Sequence, residues 1–189
     1  MRRIGILGDI GSGKSYVSKL FGFPVFNADE EVNKIYKNEK KCFNQLRKKF
    51  PKFISKFPVD KLQIINLILD NKKNIYKLGK VVHPFVGRSL KKFLKKNYKK
   101  NVILDIPLLL ENKILREDLY LIFVEAKQSI IKKKLHKRPG FNNKIYKIMK
   151  KSQLPLTLKK RASDIIIKNN FRKVEILKQI YKIKKNLNE

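Results

Sequence analysis

The chain alternates short apolar runs with longer stretches in which apolar positions recur every three or four residues. Five runs predict buried strands: RRIGIL at 2–7, PVFNAD at 24–29, NVILDIPLLLEN at 101–112 with a turn at Pro107, LYLIFVEA at 119–126 and SDIIIKN at 163–169. The first run is bounded by glycine, which is typical of a buried parallel strand. Strands that alternate with helical segments predict an α/β fold with a parallel sheet and crossover helices.

Helical spacing follows the first strand and also ends the chain. The segment KSYVSKLFGF has Val17, Leu20 and Phe21 at helical spacing and stops at Gly22, a common helix terminator. The C-terminal stretch FRKVEILKQIYKIKKNL predicts an amphipathic helix. Its predicted apolar face carries four side chains: Val174, Leu177, Ile180 and Tyr181.

Two lysine-rich helical regions lie between the strands. From Glu30 to about Lys100, the helical pattern is broken at FPKFISKFPVD and at VVHPFVG. From Ser129 to Lys160, a second basic region is interrupted by KRPGFNN. The length of the first region predicts a lobe inserted between the second and third strands.

Composition limits what kind of protein this is. With 189 residues and 42% hydrophobic content, the chain is long enough for one compact domain with a sizeable core. Lys or Asn interrupts every apolar segment within about a dozen residues, so we expect no membrane-spanning helix. The first strand leaves no room for a signal peptide, and the single cysteine, Cys42, excludes an internal disulfide. These features favour a cytoplasmic protein in which Cys42 is a helix-surface or core thiol.

The formal net charge of +32 suggests nucleic acid as a partner at first sight. However, the basic residues are mostly lysines, are spread over the entire chain and accompany abundant Asn, Ile and Phe. These residue types share A/T-rich codons, so mutational bias is a sufficient explanation. We therefore expect a solvated basic surface rather than a nucleic-acid footprint, although such a surface would still attract anionic substrates.

The clearest motif is a phosphate-binding loop. The sequence G-D-I-G-S-G-K-S runs from Gly8 to Ser15, with a predicted strand before it and a predicted helix after it. Its glycines would let backbone N–H groups turn toward bound phosphates, and the helix dipole would favour their negative charge. Lys14 would reach the β- and γ-phosphates, and the Ser15 hydroxyl would help to hold Mg²⁺. We expect the side chain of Asp9 to turn away from the phosphates toward a Lys or Arg, because an unpaired carboxylate would weaken nucleotide binding.

Two carboxylates follow other predicted strands. Asp29, in NAD, could accept a proton from an alcohol that is being phosphorylated, or it could cap the following helix. Asp105, in ILDIP, occupies the position of a Walker-B-like acid that holds Mg²⁺ through water, or it could form a turn ahead of Pro107. The two roles of Asp29 are compatible, whereas the local sequence leaves both interpretations of Asp105 open.

Cations and histidines provide further candidates. Arg138 lies beside a Pro-Gly break in a basic helical pair, where a mobile lid would present a guanidinium to phosphates; it could equally be a solvent-facing residue. His83 precedes a proline and fits a turn or packing role, and His136 is expected to be exposed among lysines. With two His and one Cys widely separated, the chain predicts no protein-only metal site.

Several blocks in order resemble the dephospho-CoA kinases, which catalyse the last step of coenzyme A synthesis. The resemblance covers nearly the whole chain. It rests on five blocks: IGILGDIGSGKS, GFPVFNADEEV, VVHPFV, VILDIPLLLEN and KSQLPLTLKKRASDIIIKNN. Three residues depart from the family pattern: Asn27 stands where a first Asp is usual, Asp9 replaces a usual Gly, and Ser163 replaces a common Ala.

The resemblance implies a P-loop kinase fold with a five-stranded parallel sheet flanked by helices, a helical substrate-binding lobe and a lid. It implies that ATP and Mg²⁺ are used and that dephospho-CoA is the small-molecule partner. The core would comprise residues 1–29, 101–128 and 161–189, with a helical CoA-binding lobe at about 30–100 and a lid region at about 129–160.

The resemblance also implies roles for individual residues. Asp29 would be the base that acts on the ribose 3′-hydroxyl, with Lys14 and the lid residue Arg138 as catalytic cations. Asn169 would contact the adenine region. The nucleotide-binding set would comprise Gly8, Gly11, Ser12, Gly13, Lys14, Ser15, Tyr16 and Asn169, with Ser15 and Asp105 on Mg²⁺. Glu111, Gln153 and Lys159 match family positions without an assigned role.

Two other functions are compatible with the phosphate loop. A nucleoside monophosphate kinase shares the loop and the sheet, but the predicted lobe carries only Arg47 and Arg88, without an Arg cluster for an acceptor phosphate. A basic nucleic-acid-binding P-loop ATPase would instead show tight and strongly salt-dependent binding to DNA or RNA.

Overall fold

The structure is a computed structural model that describes residues 1–111 and 119–188. Five strands within these residues form one parallel sheet with the order β2-β3-β1-β4-β5. Their bounds are β1 Arg3–Gly8, β2 Val25–Asn27, β3 Val102–Asp105, β4 Leu119–Glu125 and β5 Ile165–Lys168. The predicted five-stranded parallel sheet is therefore confirmed. Asn112, the end of the predicted third run, lies outside the described residues.

Helices lie between β1 and β2, between β2 and β3 and between β4 and β5, and one more follows β5. Their bounds are α1 Lys14–Leu20, α2 Ala28–Asn38, α3 Lys40–Lys49, α4 Lys61–Asp70, α5 Asn74–Lys96, α6 Gln128–His136, α7 Asn143–Lys151, α8 Leu156–Arg161 and α9 Lys173–Asn188. The predicted interruption KRPGFNN covers the turn between α6 and α7, and its last residue, Asn143, begins α7. No helix in the described part of the chain is both long and apolar enough to cross a membrane.

The second predicted break in the long helical region is wrong. The segment VVHPFVG lies inside α5, which continues for 23 residues and contains Pro84 in its interior. A proline removes one helical hydrogen bond and usually ends a helix. Here the buried side chains of Leu78, Val82, Phe85 and Leu90 recur at helical spacing on both sides of it. Their burial stabilises the continuous helix across the proline, so packing overrides the local preference.

The predicted apolar face of α9 is also largely wrong. Ile180 is buried as expected, but Val174, Leu177 and Tyr181 are exposed. The buried face instead carries four aliphatic side chains: Ile176, Ile180, Ile183 and Leu187. Both sets have helical spacing, and the second set runs further along the helix and lacks the polar hydroxyl of Tyr181. The longer aliphatic stripe therefore packs into the core.

The described chain forms two compact units. The sheet unit comprises Met1–Asn27, Asn97–Phe141 and Lys150–Glu189, and the helical unit comprises Ala28–Lys96 and Asn142–Met149. The core of the sheet unit is built on β1, β3, β4 and β5 with side chains of α1 and α9, including Ile4, Phe21 and Ile122. The helical unit has its own core around Leu46 and Leu67.

Cys42 belongs to the core of the helical unit. Its side chain is fully buried, and burial together with the neighbouring Glu39 raises its pKa to about 11. Only the thiolate is an effective nucleophile, and the environment of this thiol disfavours it. The thiol is thus a core residue, which is one of the two roles that the sequence predicted.

We expect Cys42 to react slowly with a thiol reagent in the folded protein. A pKa raised from 9.0 to about 11 lowers the thiolate fraction about a hundredfold near pH 8, and burial blocks access as well. The release of nitrothiobenzoate from Ellman's reagent, with and without denaturant, measures this. Labelling of native protein as fast as that of unfolded protein would contradict the buried position.

Candidate active site

The phosphate loop links β1 to α1 at the centre of the sheet. Gly11 and Gly13 have φ values of 82° and 88°, in the left-handed region that favours glycine. A side chain at Gly13 would also meet the amide of Asn169, because an ideal Cβ there lies 2.3 Å from Asn169 Nδ2. Both the backbone angle and the lack of space therefore require glycine at this position.

Lys14 and Ser12 have different environments within this loop. Lys14 Nζ donates to the backbone carbonyls of Asp9 at 2.8 Å and of Gly8 at 3.3 Å, so the ammonium lies over the loop. Ser12 is fully buried, and its Oγ has no hydrogen-bond partner among the described residues. A buried polar atom without a partner is unfavourable unless a ligand or water satisfies it. The Ser12 hydroxyl is therefore suited to hydrogen-bond a polar ligand that the loop encloses.

Asn169 fixes the loop from the end of β5. It is 3% exposed, and its Nδ2 donates to the carbonyl of Ser12 at 2.8 Å. Its Oδ1 accepts a hydrogen bond from the backbone N–H of Phe171 at 2.8 Å. The side chain thus connects β5 with the phosphate loop, and its predicted contact with the adenine region stays a prediction.

Ser15, Asn27 and Asp105 lie together at the carboxyl ends of β2 and β3. Asn27 Nδ2 donates to Asp105 Oδ2 at 2.9 Å and lies 3.4 Å from Ser15 Oγ. Asp105 is 3% exposed and ends β3 as predicted. A hydroxyl and a carboxylate are oxygen donors of the kind that Mg²⁺ prefers, and Mg²⁺ usually takes few protein ligands beside substrate phosphates. The hydroxyl of Ser15 and the carboxylate of Asp105 thus fit the predicted Mg²⁺. In the described chain, no cluster of three or more His, Cys, Asp or Glu could hold a metal by protein ligands alone.

Asp9 is paired, as the sequence predicts. Its side chain is almost completely buried, and Oδ2 lies 3.2 Å from Lys150 Nζ. The same oxygen accepts a hydrogen bond from Gln128 Nε2 at 2.9 Å, and Oδ1 accepts one from the backbone N–H of Ile10 at 2.8 Å. The expected pairing with a lysine is therefore confirmed.

Three further residues of the predicted site are exposed. Asp29 is an exposed residue in the first turn of α2, one position inside the helix rather than at its cap, where its charge interacts favourably with the helix dipole. Arg138 is exposed in the turn that follows α6, and Tyr16 is exposed on α1. Their predicted roles stay predictions. His136 is exposed, as expected.

Three residues without an assigned role form a buried cluster in the sheet unit. Lys159 is 1% exposed, and its Nζ lies 2.8 Å from Glu111 Oε1 and 3.2 Å from Gln153 Oε1. The backbone N–H of Leu154 donates to Glu111 Oε1 at 2.9 Å. A buried charge is tolerated only when it is paired in this way. The cluster ties the turn after β3 to the segment around α8.

Sequence reasoning missed Gln128 and Lys150 as neighbours of the loop. Both lie in lysine-rich helical stretches whose spacing carries no mark that distinguishes them from solvated residues. The acidic residue in the loop was the only signal, because it required a cation without identifying which one. Among the basic residues that the structure describes, Lys150 is the one that pairs with Asp9.

The fold and the loop define a class of protein, and the comparisons with known proteins specify it. The sheet order, the loop after the central strand and the structural relatives are those of a P-loop kinase. A solved structure from Thermus thermophilus, TT1252, is 26% identical with a TM-score of 0.79 and covers 96% of this chain and 95% of its own. The dephospho-CoA kinase from Campylobacter jejuni, at 20% identity and a TM-score of 0.68, covers 99% and 98% and supports the fold.

Sequence comparison identifies the family. The sequence model of the dephospho-CoA kinase family matches residues 2–175. A dephospho-CoA kinase from Bartonella quintana is 31% identical over 99% of this chain and 98% of the relative. This chain belongs to the dephospho-CoA kinase family, and it is an enzyme of the kinase class. The predicted resemblance is thereby confirmed.

We expect Gly13→Ala to abolish most nucleotide binding, because the new methyl group would both strain the backbone and displace Asn169. The affinity for ATP, measured by titration calorimetry, should fall at least about tenfold, which corresponds to roughly 1.4 kcal/mol. Gly87→Ala is the matched control, because a Cβ there meets nothing within 4 Å. Equal affinities of the two variants would show that the loop tolerates the side chain.

Proposed function

We propose that this chain transfers the γ-phosphoryl group of ATP to the ribose 3′-hydroxyl of dephospho-CoA to give CoA. The observation that carries the proposal is the joint presence of a complete phosphate loop and the Ser15–Asn27–Asp105 group in a chain of this family. The loop would bind the phosphates of a nucleoside triphosphate. Membership of the family supports dephospho-CoA as the acceptor.

The loop and Lys14 would position and neutralise the phosphates. Phosphoryl transfer places negative charge on the oxygens of the transferred group, so fixed N–H groups and an ammonium at those oxygens favour the transition state. Lys14 Nζ already lies over the loop, where it donates to the backbone carbonyls of Gly8 and Asp9. Binding of the nucleotide would exchange these carbonyls for phosphate oxygens.

Ser15 and Asp105 would hold Mg²⁺. When bound, the ion neutralises charge on the β- and γ-phosphates. Asn27 donates a hydrogen bond to Asp105 and so orients the carboxylate that would face the metal. The family usually has a first Asp at position 27, and here a neutral amide stands in its place. This replacement favours a role for Asn27 in orienting Asp105 rather than a catalytic role.

Asp29 would accept the proton of the 3′-hydroxyl. It follows Asn27 by two residues, at the point where β2 passes into α2, and its exposed carboxylate is accessible to a substrate. Arg138 would add a cation from the lid region, and Asn169 would contribute to the adenine region. The helical lobe would bind the rest of dephospho-CoA.

The competing functions have less support. A nucleoside monophosphate kinase would need arginines for an acceptor phosphate, and the lobe has two, Arg47 and Arg88. The guanidinium of Arg88 stacks over Phe85, with 4.3 Å from Cζ to the ring centroid. We expect nucleic acid not to be a partner, since lysines are spread over the chain rather than gathered on one element. A cytoplasmic location agrees with a biosynthetic family and a reduced buried thiol.

The acceptor assay tests the proposal directly. Purified protein with ATP, Mg²⁺ and dephospho-CoA should form ADP and CoA, measured by chromatography of both products. Nucleoside monophosphates and single-stranded RNA, added separately, should leave ADP formation at its background. If ADP forms only with a nucleoside monophosphate, the acceptor assignment is wrong, and RNA-stimulated ATP hydrolysis at physiological salt would favour the nucleic-acid alternative.

We expect Asp29→Asn to retain ATP binding and to lose about 10²–10⁴-fold in kcat, because general-base catalysis contributes roughly this factor. Steady-state kinetics and a separate ATP titration measure the two effects. Glu30→Gln is the matched control, since it removes the same charge from the next residue of the same exposed helical turn. A turnover that is unchanged in Asp29→Asn would remove this residue from the base role.

A further inference from the structure

The phosphate loop contains a buried negative charge. Asp9 lies between Gly8 and Ile10 of the loop and is 3% exposed, so water screens its carboxylate poorly. ATP binds such a loop with several negative charges of its own. An uncompensated carboxylate at this position would repel the nucleotide and weaken binding.

The carboxylate would also compete for the essential lysine. Lys14 Nζ donates to the backbone carbonyl of Asp9 at 2.8 Å, so the ammonium contacts the residue that carries the carboxylate. A carboxylate without its cation would attract this ammonium away from the phosphate position. Asp9 therefore threatens nucleotide binding in two ways, by repelling phosphate and by capturing Lys14.

Lys150 supplies the compensating charge. Three groups bond the carboxylate: Lys150 at 3.2 Å, Gln128 at 2.9 Å and the N–H of Ile10 at 2.8 Å. Of these, only Lys150 is charged. Its side chain remains 42% exposed, so the lysine stays hydrated on one side while its ammonium reaches a buried oxygen.

We infer that Lys150 is a positioning residue of the nucleotide site, which acts by neutralising Asp9 and thereby keeps Lys14 available to the phosphates. The pair links two residues of the sheet unit that lie 141 positions apart, so that a residue far along the chain sets the electrostatics of the loop. The inference rests on the proposed ATP site. Lys150 would do more than hold two segments together, because its effect on nucleotide binding depends on its own positive charge and on the negative charge of Asp9.

This mechanism makes an unusual prediction for combined substitutions. Lys150→Met should weaken ATP binding about tenfold, because it leaves the buried Asp9 charge uncompensated. Asp9→Asn should bind ATP within about threefold of the unchanged protein, since it removes the charge and keeps a polar side chain. The double variant should likewise return to within about threefold, because the harmful charge is then absent.

Titration calorimetry with ATP, ADP and AMP in excess Mg²⁺ tests the inference without any acceptor. The loss in Lys150→Met should be largest for ATP and smallest for AMP, which a loss of packing alone would not produce. Lys151→Met is the matched control: it removes the same charge from the neighbouring exposed residue of α7 and should change no affinity. Lys150→Arg should keep the affinity for ATP, and thermal melting of every variant checks folding.

The outcomes separate this inference from the proposed function. If the unchanged protein binds ATP and the double variant is as weak as Lys150→Met, Lys150 acts on the nucleotide itself and the inference is overturned. An equal loss for all three nucleotides would overturn it too. If the unchanged protein binds no ATP at all, the proposed function fails, whereas ATP binding without CoA formation leaves the inference standing and rejects the acceptor.

Discussion

The tight contact between Gly13 and Asn169 is the constraint on which the site depends. The loop must turn its N–H groups toward an anion, so its carbonyls need hydrogen-bond donors on the opposite side of the loop. Asn169 provides this by donating to the Ser12 carbonyl, and the space it occupies excludes a side chain at Gly13. The end of β5 therefore holds the loop that follows β1, and the parallel sheet serves as the frame that brings these two distant segments together.

Ion pairs in the sheet unit also connect segments that lie far apart in the sequence. Two lysines from the lysine-rich second half of the chain bond acids that burial would otherwise make unfavourable: Lys150 with Asp9, and Lys159 with Glu111. The Lys159–Glu111 pair is buried on both sides, and such a pair adds little net stability, but removing one partner costs about 3–5 kcal/mol because the other charge stays buried. These pairs thus specify an arrangement of segments more than they stabilise the fold.

The sequence was sufficient for the sheet, the loop and the position of Asp105 at the end of β3, because these depend on local patterns. Apolar runs define strands, and a glycine-rich turn with Lys14 and Ser15 defines a phosphate site. Choices between equivalent local patterns were not predictable in this way. The two helical stripes of α9 have the same spacing, and only packing against the sheet decides that Ile176 rather than Val174 is buried. Likewise, nothing local distinguishes Lys150 from its neighbours, since its role is set by a carboxylate 141 positions away.

The environment of Lys159 limits how this chain can drift. A/T-rich codons favour lysine, and at exposed positions an arginine would serve equally well as a hydrated cation. At position 159, the ammonium is enclosed with the oxygens of Glu111 and Gln153, and a planar guanidinium would bring five donors into a space that offers few acceptors. Genome composition and structural requirement coincide at this residue. A lineage whose base composition shifted toward G and C could exchange its surface lysines for arginines freely, yet would have to preserve this one.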